Sequence, residues 1–340
     1  MGVLMKDIAE KLGISKTTVW RAVNNNGRIS KETHKKVLKL VKELDYQPQF
    51  VLGKLRLERT KTIGCIVTGE IYDPFVDAFY GKVLRSIETE ASLKGYHLLF
   101  STFTEENFNG ALPSAVEKKQ VRGLIVAGKI DKNFLFLLED ELPVVLVDYY
   151  IEGKEFDCVV NDNTDGAYKA VKYLIDLGHR RIGFINSTLE SPSSKERLSG
   201  YKKALKEIGL NYSGKLVKES GSLVEGGYRA MEKMLKLSKV PTAVFAFNDT
   251  NALGAMKAIK ENGLKIPDDI SIVGFDDFDF AAHTEPPLTT VRDNKREMGK
   301  RAVRRLLEKI DDYDEKPQKI VLPVDLIIRK TCKALNQRES

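Results

Sequence analysis

Five side chains in one short segment have the types and spacing to read base edges: Lys16, Thr17, Trp20, Arg21 and Asn24. At about 100° per residue they share one side of a helix, while Thr18, Val19, Ala22 and Val23 share the other. Long cations beside small hydrogen-bonding groups suit the donor and acceptor pattern of a DNA major groove. The flanking residues supply the frame. Met5 to Leu12 predicts a preceding helix with Ile8, Ala9 and Leu12 inward, Gly13 suits the left-handed residue that ends it, and Ser15 can cap the next helix. This is a helix-turn-helix pattern.

The net charge of +7 lies in the same region. Residues 1–59 hold 13 Lys and Arg against 6 Asp and Glu, whereas the rest of the chain is balanced at 42 of each. A diffuse surplus would be an ordinary solvated surface; one confined to a small module points to nucleic-acid phosphate.

A second set of polar residues recurs at the ends of apolar runs. Val144–Val147 is followed by Asp148, Ile182–Ile185 by Asn186 and Ser187, Ala243–Phe247 by Asn248 and Asp249, and Ile270–Phe275 by Asp276 and Asp277. In parallel α/β sheets, ligands bind beyond the carboxyl ends of the strands. Carboxylates and amides gathered there can hold the hydroxyls of a sugar, with Phe75 or Phe247 against its apolar face and Arg197 as a forked donor. Asp73-Pro74-Phe75 opens the helix after the first strand. Each residue also has a plainer reading. Asp and Asn after a strand are ordinary helix caps, Arg197 alone is a solvated helix residue, and Asp276-Asp277 lacks the His or Cys partners of a transition-metal site.

The elements that carry these residues follow from periodicity. Ser30 caps a third helix to about Leu44, with Val37, Leu40, Val41 and Leu44 inward. Gln49 to Arg59 is basic and weakly helical, its Gly53 costing about 1 kcal/mol against alanine. From Lys61 onward, apolar runs alternate with amphipathic helices. Strands are expected at Ile63–Val67, Tyr96–Phe100, Gly123–Ala127, Val144–Val147, Ile182–Ile185, Ala243–Phe247, Ile270–Gly274 and Ile320–Ile328. Helices are expected near Phe75–Leu93, Ala111–Lys119, Thr164–Leu177, Ser193–Ile208, Gly226–Leu237, Thr250–Asn262 and Lys295–Lys309. The fold class is therefore α/β: a three-helix DNA-binding domain followed by two doubly wound, parallel-sheet lobes.

Several function classes are disfavoured. Cys65, Cys158 and Cys332 are too few and scattered for a disulfide framework or a metal cage. No apolar run spans a membrane and the start lacks a signal-peptide core, so a cytoplasmic protein is expected. No nucleophile elbow, P-loop, Cys-x-x-Cys or His-Glu-x-x-His occurs, and His34, His97, His179 and His283 have no catalytic spacing. Neither an enzyme nor a cofactor is expected.

These blocks together resemble the lactose-repressor (LacI/GalR) family of bacterial transcriptional regulators. The resemblance rests on Ile8-Ala9, Gly13-Ile14-Ser15, Thr18 to Asn24, and Leu44-Asp45-Tyr46-Gln47-Pro48 at the head. In the body it rests on Leu177-Gly178-His179-Arg180-Arg181-Ile182, Arg197-Leu198-Ser199-Gly200-Tyr201, Phe247-Asn248-Asp249, Ile270 to Asp277, and Pro286 to Val291. It covers nearly the whole chain to about Thr331. It implies a periplasmic-binding-protein-like core joined by three crossovers. The domains are then a head over residues 1–46, a hinge helix and linker over 47–60, a core over 61–331 and a short tail over 332–340. Within the core, the first lobe takes about 61–159 and 290–318, the second 160–289 and 319–331.

The resemblance also implies roles. Lys16, Thr17 and Arg21 read bases, within a DNA-facing set of Ser15, Lys16, Thr17, Thr18, Trp20, Arg21, Asn24, Lys54 and Leu55, the leucine being wedged into the minor groove. Arg197, Asn248 and Asp276 bind sugar hydroxyls. Asp148, Asn161 and Asp73 to Phe75 line the pocket with Phe247 and Ser222. Trp20 stands where a serine is usual, and Ser222 where many members place an aromatic. A tail without leucine heptads favours a homodimer over a tetramer. The expected protein is a repressor of an approximately palindromic operator, released by a small sugar. The competing readings are a regulator strengthened by a co-repressor or phosphorylated carrier protein, and a plain solute-binding protein.

Overall fold

The computed structural model describes residues 5–24, 29–44, 60–68, 77–103, 113–139, 141–153, 156–188, 191–221, 223–312 and 316–335. The head comprises α1 (Met5–Leu12), α2 (Lys16–Asn24) and α3 (Lys31–Glu43). Ile8, Ala9, Val19, Ala22 and Val37 form its buried centre, with Leu12, Ile14, Leu40, Val41 and Leu44 packed around them. Gly13 has φ +63°, the left-handed conformation expected at the turn. Ser30 caps α3 by accepting from the Thr33 N–H at 3.0 Å.

Two six-stranded sheets follow. The first contains β1 (Thr62–Thr68), β2 (His97–Phe103), β3 (Leu124–Ala127), β4 (Val144–Val147), β5 (Asp157–Asn161) and β11 (Lys319–Leu322), in the order β11-β5-β4-β3-β1-β2. All its pairs are parallel, β1 beginning opposite β2 at Thr62 and His97. The second contains β6 (Ile182–Asn186), β7 (Val217–Glu219), β8 (Ala243–Ala246), β9 (Ser271–Phe275), β10 (Thr289–Arg292) and β12 (Asp325–Ile327), in the order β12-β10-β9-β8-β6-β7. Only β12 runs antiparallel, beside β10.

Helices cover both faces, which is why the central strands are buried end to end. Alternation sends Ile125, Ala127, Val145 and Val147 to α4 (Tyr80–Leu93) and α11 (Lys295–Asp311). Leu124, Val126, Val144 and Leu146 face α5 (Ser114–Glu117) and α6 (Lys132–Glu139). In the second lobe, Phe184, Phe245 and Phe275 pack on α7 (Asn163–Asp176) and α8 (Pro192–Glu207). Ile185, Val244 and Ile272 pack on α9 (Val224–Leu235) and α10 (Asp249–Glu261).

The structure differs from the sequence expectation in several places. The run Ile320–Ile328 is not one strand: it breaks after Leu322 at Pro323, with β11 in the first sheet and β12 in the second. Proline has no N–H for a ladder, so the run divides there. The third crossover therefore lies between Leu322 and Asp325, and residues 319–322 belong to the first lobe. The second crossover follows Arg292, since β10 extends the second sheet; the first follows Asn161. Strands β5, β7 and β10 and helix α6 had no counterpart in the periodicity reading. Of the expected helix at Ala111–Lys119, the described residues 113–119 hold only the single turn of α5.

His179 is buried in the turn between α7 and β6. Its ring nitrogens meet the hydroxyls of Thr242 at 3.0 Å and Ser271 at 3.1 Å, and the Lys333 carbonyl at 3.2 Å. Burial lowers its pKa, and the ring ties β6, β8, β9 and the C-terminal segment together.

Candidate functional site

In the head, Ser15 spends its hydroxyl on the start of α2, accepting from the Thr18 N–H at 3.1 Å while the two hydroxyls meet at 2.8 Å. Capping is thus the local role of Ser15, as the sequence indicates. Lys16 and Thr17 are exposed and Thr18, Trp20 and Arg21 half-buried. Trp20 lies outside the apolar cluster that closes the head. The Asn24 side chain, Lys54 and Leu55 lie outside the described residues, as do Asp73, Phe75 and Ser222 in the core.

The core residues converge at the carboxyl ends of the strands, between the lobes. Arg197, on the first turns of α8, is buried at 4% exposure. Its guanidinium lies 3.6 Å from the Phe275 ring centroid and 4.3 Å from that of Phe247. Its Nε donates to Asn163 Oδ1 at 2.9 Å and its Nη1 to the Phe247 carbonyl. Its Nη2 stands 3.5 Å from Asp276 Oδ1, an ion pair looser than a direct hydrogen bond. Five donors in a rigid fork are thus only partly used.

Asp148, Asp276 and Asp277 have φ of +58°, +97° and +46°. Left-handed backbone costs most residues energy and is best tolerated by Gly, Asn and Asp, so these strand ends are held against local preference. Asp276 is buried near Arg197 and Asp148 stands half-buried at the end of β4. Burial pushes the Asp148 carboxyl up to about 7, with Asp276 and Asp293 adding repulsion and Arg197 pulling it back. Tyr80 donates to Asp148 at 3.2 Å. Burial likewise raises Asp276, opposed by Arg197 and Lys295.

Asn248 has a divided role. Its Oδ1 caps α10 through the Asn251 N–H at 2.8 Å, and its amide nitrogen makes no hydrogen bond among the described residues. Asp249 is fully buried between the Phe278 N–H at 2.7 Å and the Thr290 hydroxyl, so it is structural. Asp277 is held by Arg292 at 2.7 Å and Arg329 at 2.6 Å, which outweigh its burial and lower its pKa. Asn186 braces the turn into α8, accepting from the Ser187 N–H at 2.9 Å. Asn161 is buried at the first crossover. Its Nδ2 donates to Asp293 at 3.4 Å and its Oδ1 has no partner among the described residues.

Asn163, Glu196, Asp293 and Lys295 join this cluster unannounced. Lys295 Nζ contacts Asp293 Oδ1 and the Asp276 carbonyl. Two of the omissions share a cause: Asn163 follows β5 and Asp293 follows β10, strands that periodicity did not reveal. Among the described residues no group of His, Cys, Asp and Glu could hold a metal ion. No helix among them is long and apolar enough to cross a membrane.

Residues 4–49 match the model for bacterial regulatory proteins, lacI family, and residues 171–332 that for a periplasmic binding protein-like domain. The chain is 35% identical over 334 residues to the HTH-type transcriptional repressor PurR of Pasteurella multocida, covering 97% of this chain and 98% of that one. It is 33% identical to the protein of the same name from Vibrio campbellii, with 98% and 99% covered. Among solved structures, the transcriptional regulator CelR in complex with cellobiose aligns at TM-score 0.74 and 27% identity, with 97% of this chain and 99% of that one covered. The lac repressor dimer bound to operator and the anti-inducer ONPF aligns at TM-score 0.70 and 29% identity, with 98% and 100% covered.

Proposed function

The chain belongs to the lacI family of bacterial regulatory proteins, DNA-binding transcription regulators rather than enzymes, and from that membership we propose a repressor that leaves its operator when a small sugar binds between its lobes. One observation carries the sugar reading. Among the described residues, the buried Arg197 fork keeps donors unfilled beside the Asp276 carboxylate. A hydroxyl is the group that suits both at once, accepting from the guanidinium while donating to the carboxylate. Asn248 offers its free amide nitrogen and Asp148 a further carboxyl across the cleft. Phe247, half-exposed beside Arg197, gives the ring an apolar wall; Asp73, Phe75, Asn161 and Ser222 complete the proposed pocket. The cellobiose held by CelR is a ligand of this class.

On DNA, the protein works in the cytoplasm as a homodimer whose two heads occupy the half-sites of an approximately palindromic operator. Lys16, Thr17 and Arg21 read bases, with Ser15, Thr18, Trp20 and Asn24 around them. Lys54 and Leu55 act from the hinge. Sugar closes the cleft, moves the first lobes against each other and releases the hinge segment.

Trp20 is the sole tryptophan, so its fluorescence reports on the head. A duplex selected from a random pool by the full chain is expected to change that signal, and a panel of sugars including cellobiose and ribose to contain one that reverses it. A panel member that strengthens binding would instead indicate co-repression. Failure to select any duplex would overturn the proposal.

A further inference from the structure

One contact across the cleft mouth involves no residue assigned above to sugar or DNA. Tyr150, in the loop after β4, donates its hydroxyl to Glu196 Oε1 at 2.9 Å. Lys319, at the start of β11, approaches the same oxygen at 3.4 Å and stands 3.4 Å from the centroid of the Tyr150 ring. Both belong to the first lobe, whereas Glu196 belongs to α8 of the second. Glu196 Oε2 accepts from Asn163 Nδ2 at 3.0 Å. The second hydrogen on that nitrogen faces the Asn161 carbonyl at 3.3 Å. Asn163 Oδ1 is thereby left to accept from Arg197 Nε at 2.9 Å.

An amide has one accepting end and one donating end. While Glu196 and the Asn161 carbonyl claim the nitrogen of Asn163, its oxygen faces Arg197. A flipped amide would set its NH2 against the donating Nε of Arg197 and its oxygen against the Glu196 carboxylate. We propose that Glu196 is a positioning residue that makes lobe closure and the setting of the Arg197 guanidinium one event, with Tyr150 and Lys319 as the first lobe's grip upon it. Opening the lobes removes that grip, frees Glu196 and loosens Asn163, so the Asn163 hold on the Arg197 fork is set only when the lobes are together, while Phe247 and Phe275 hold it in either state. The other interlobe ion pairs, Lys195–Glu152 at 3.5 Å and Lys82–Asp279 at 2.6 Å, are more exposed and stop at their own partners. Burial first, and then the Glu196 carboxylate, hold the Tyr150 hydroxyl protonated as a donor. The functional consequence rests on the proposed sugar-binding role of Arg197; the relay itself does not.

The test needs no sugar, so its failure is distinct from failure of the sugar reading. The Arg197 Nε–H resonance of the 15N-labelled full chain is identified by its loss in Arg197→Lys. In Tyr150→Phe, which touches neither Asn163 nor Arg197, that proton is expected to exchange with water roughly tenfold faster while the core backbone amides of the second lobe keep their rates, in line with losing a hydrogen bond to a charged group. Lys319→Met should act in the same direction, and Tyr150→Phe combined with Glu196→Gln should exceed neither single variant. An unchanged Arg197 signal in Tyr150→Phe would overturn the relay. So would a uniform acceleration of backbone amides through the second lobe, the mark of general loosening. If Glu196→Gln fails to fold, Tyr150→Phe and Lys319→Met still decide.

Discussion

Asp148 shows how one residue ties ligand chemistry to stability. Its ordinary pKa is 3.8, and burial raises it to about 7 in the folded protein. Between these values the folded chain holds more protons than the unfolded one. The contribution of Asp148 to stability is therefore largest below about pH 4, declines as pH rises towards 7, and is flat above. Asp148→Asn removes that dependence. Relative to the parent, the variant is expected to gain roughly 2 kcal/mol between pH 4 and pH 8, a figure discounted for water in the half-buried cleft. Urea midpoints across that range measure it, and parallel curves for the two proteins would refute it. Arg197 carries the complementary lesson. Its guanidinium is useful to a ligand because Phe247, Phe275 and Asn163 hold it still, leaving donors unfilled.

Among the elements, local signals are legible where a side chain acts on its own backbone. Ser15, Ser30 and Asn248 each cap the helix they precede, and Gly13 makes its turn. Strands β5 and β10 escaped because each has a short apolar centre between polar ends and gains its stability from neighbours distant in sequence. Helix α6 is a brief apolar run, a pattern that strand and helix share, though Asp131 marks its start by accepting from the Asn133 and Phe134 N–H groups at 2.9 and 3.1 Å. The crossing of α9 and α10 depends on close backbone approach. A Cβ on Gly254 would fall 1.9 Å from the Val224 carbonyl oxygen, and one on Gly227 would fall 2.1 Å from that of Asn251. Gly254→Ala must push the helices apart and is expected to cost about 3 kcal/mol. Chemical denaturation of the variant tests this; a loss below about 0.5 kcal/mol, the range of an ordinary surface change, would contradict it.

For the assembled protein, the charge imbalance divides the labour. The cationic head supplies phosphate attraction, while the rest of the chain carries no net charge. If sugar weakens operator binding, operator must weaken sugar binding by the same factor, because the two equilibria share one cycle. Sugar titrations with and without saturating operator are expected to give dissociation constants differing by the ratio found for operator with and without sugar. A sugar dissociation constant unchanged by saturating operator would mean that the two sites are not coupled.

The amino-acid order by itself determined the helix-turn-helix, the α/β class and the polar strand ends, because helical period, capping and alternation act between residues a few positions apart. It also marked Arg197, Asn248 and Asp276. Tertiary structure alone decided that Lys319–Leu322 extends the first sheet while Asp325–Ile327 extends the second. It alone brought Tyr150, Lys319, Asn163 and Glu196 to one point, and set Asn161 at a crossover. An apolar strand can complete either of two similar parallel sheets, and a carboxylate carries no mark of its distant donor. Those choices are made by packing between segments far apart in the chain.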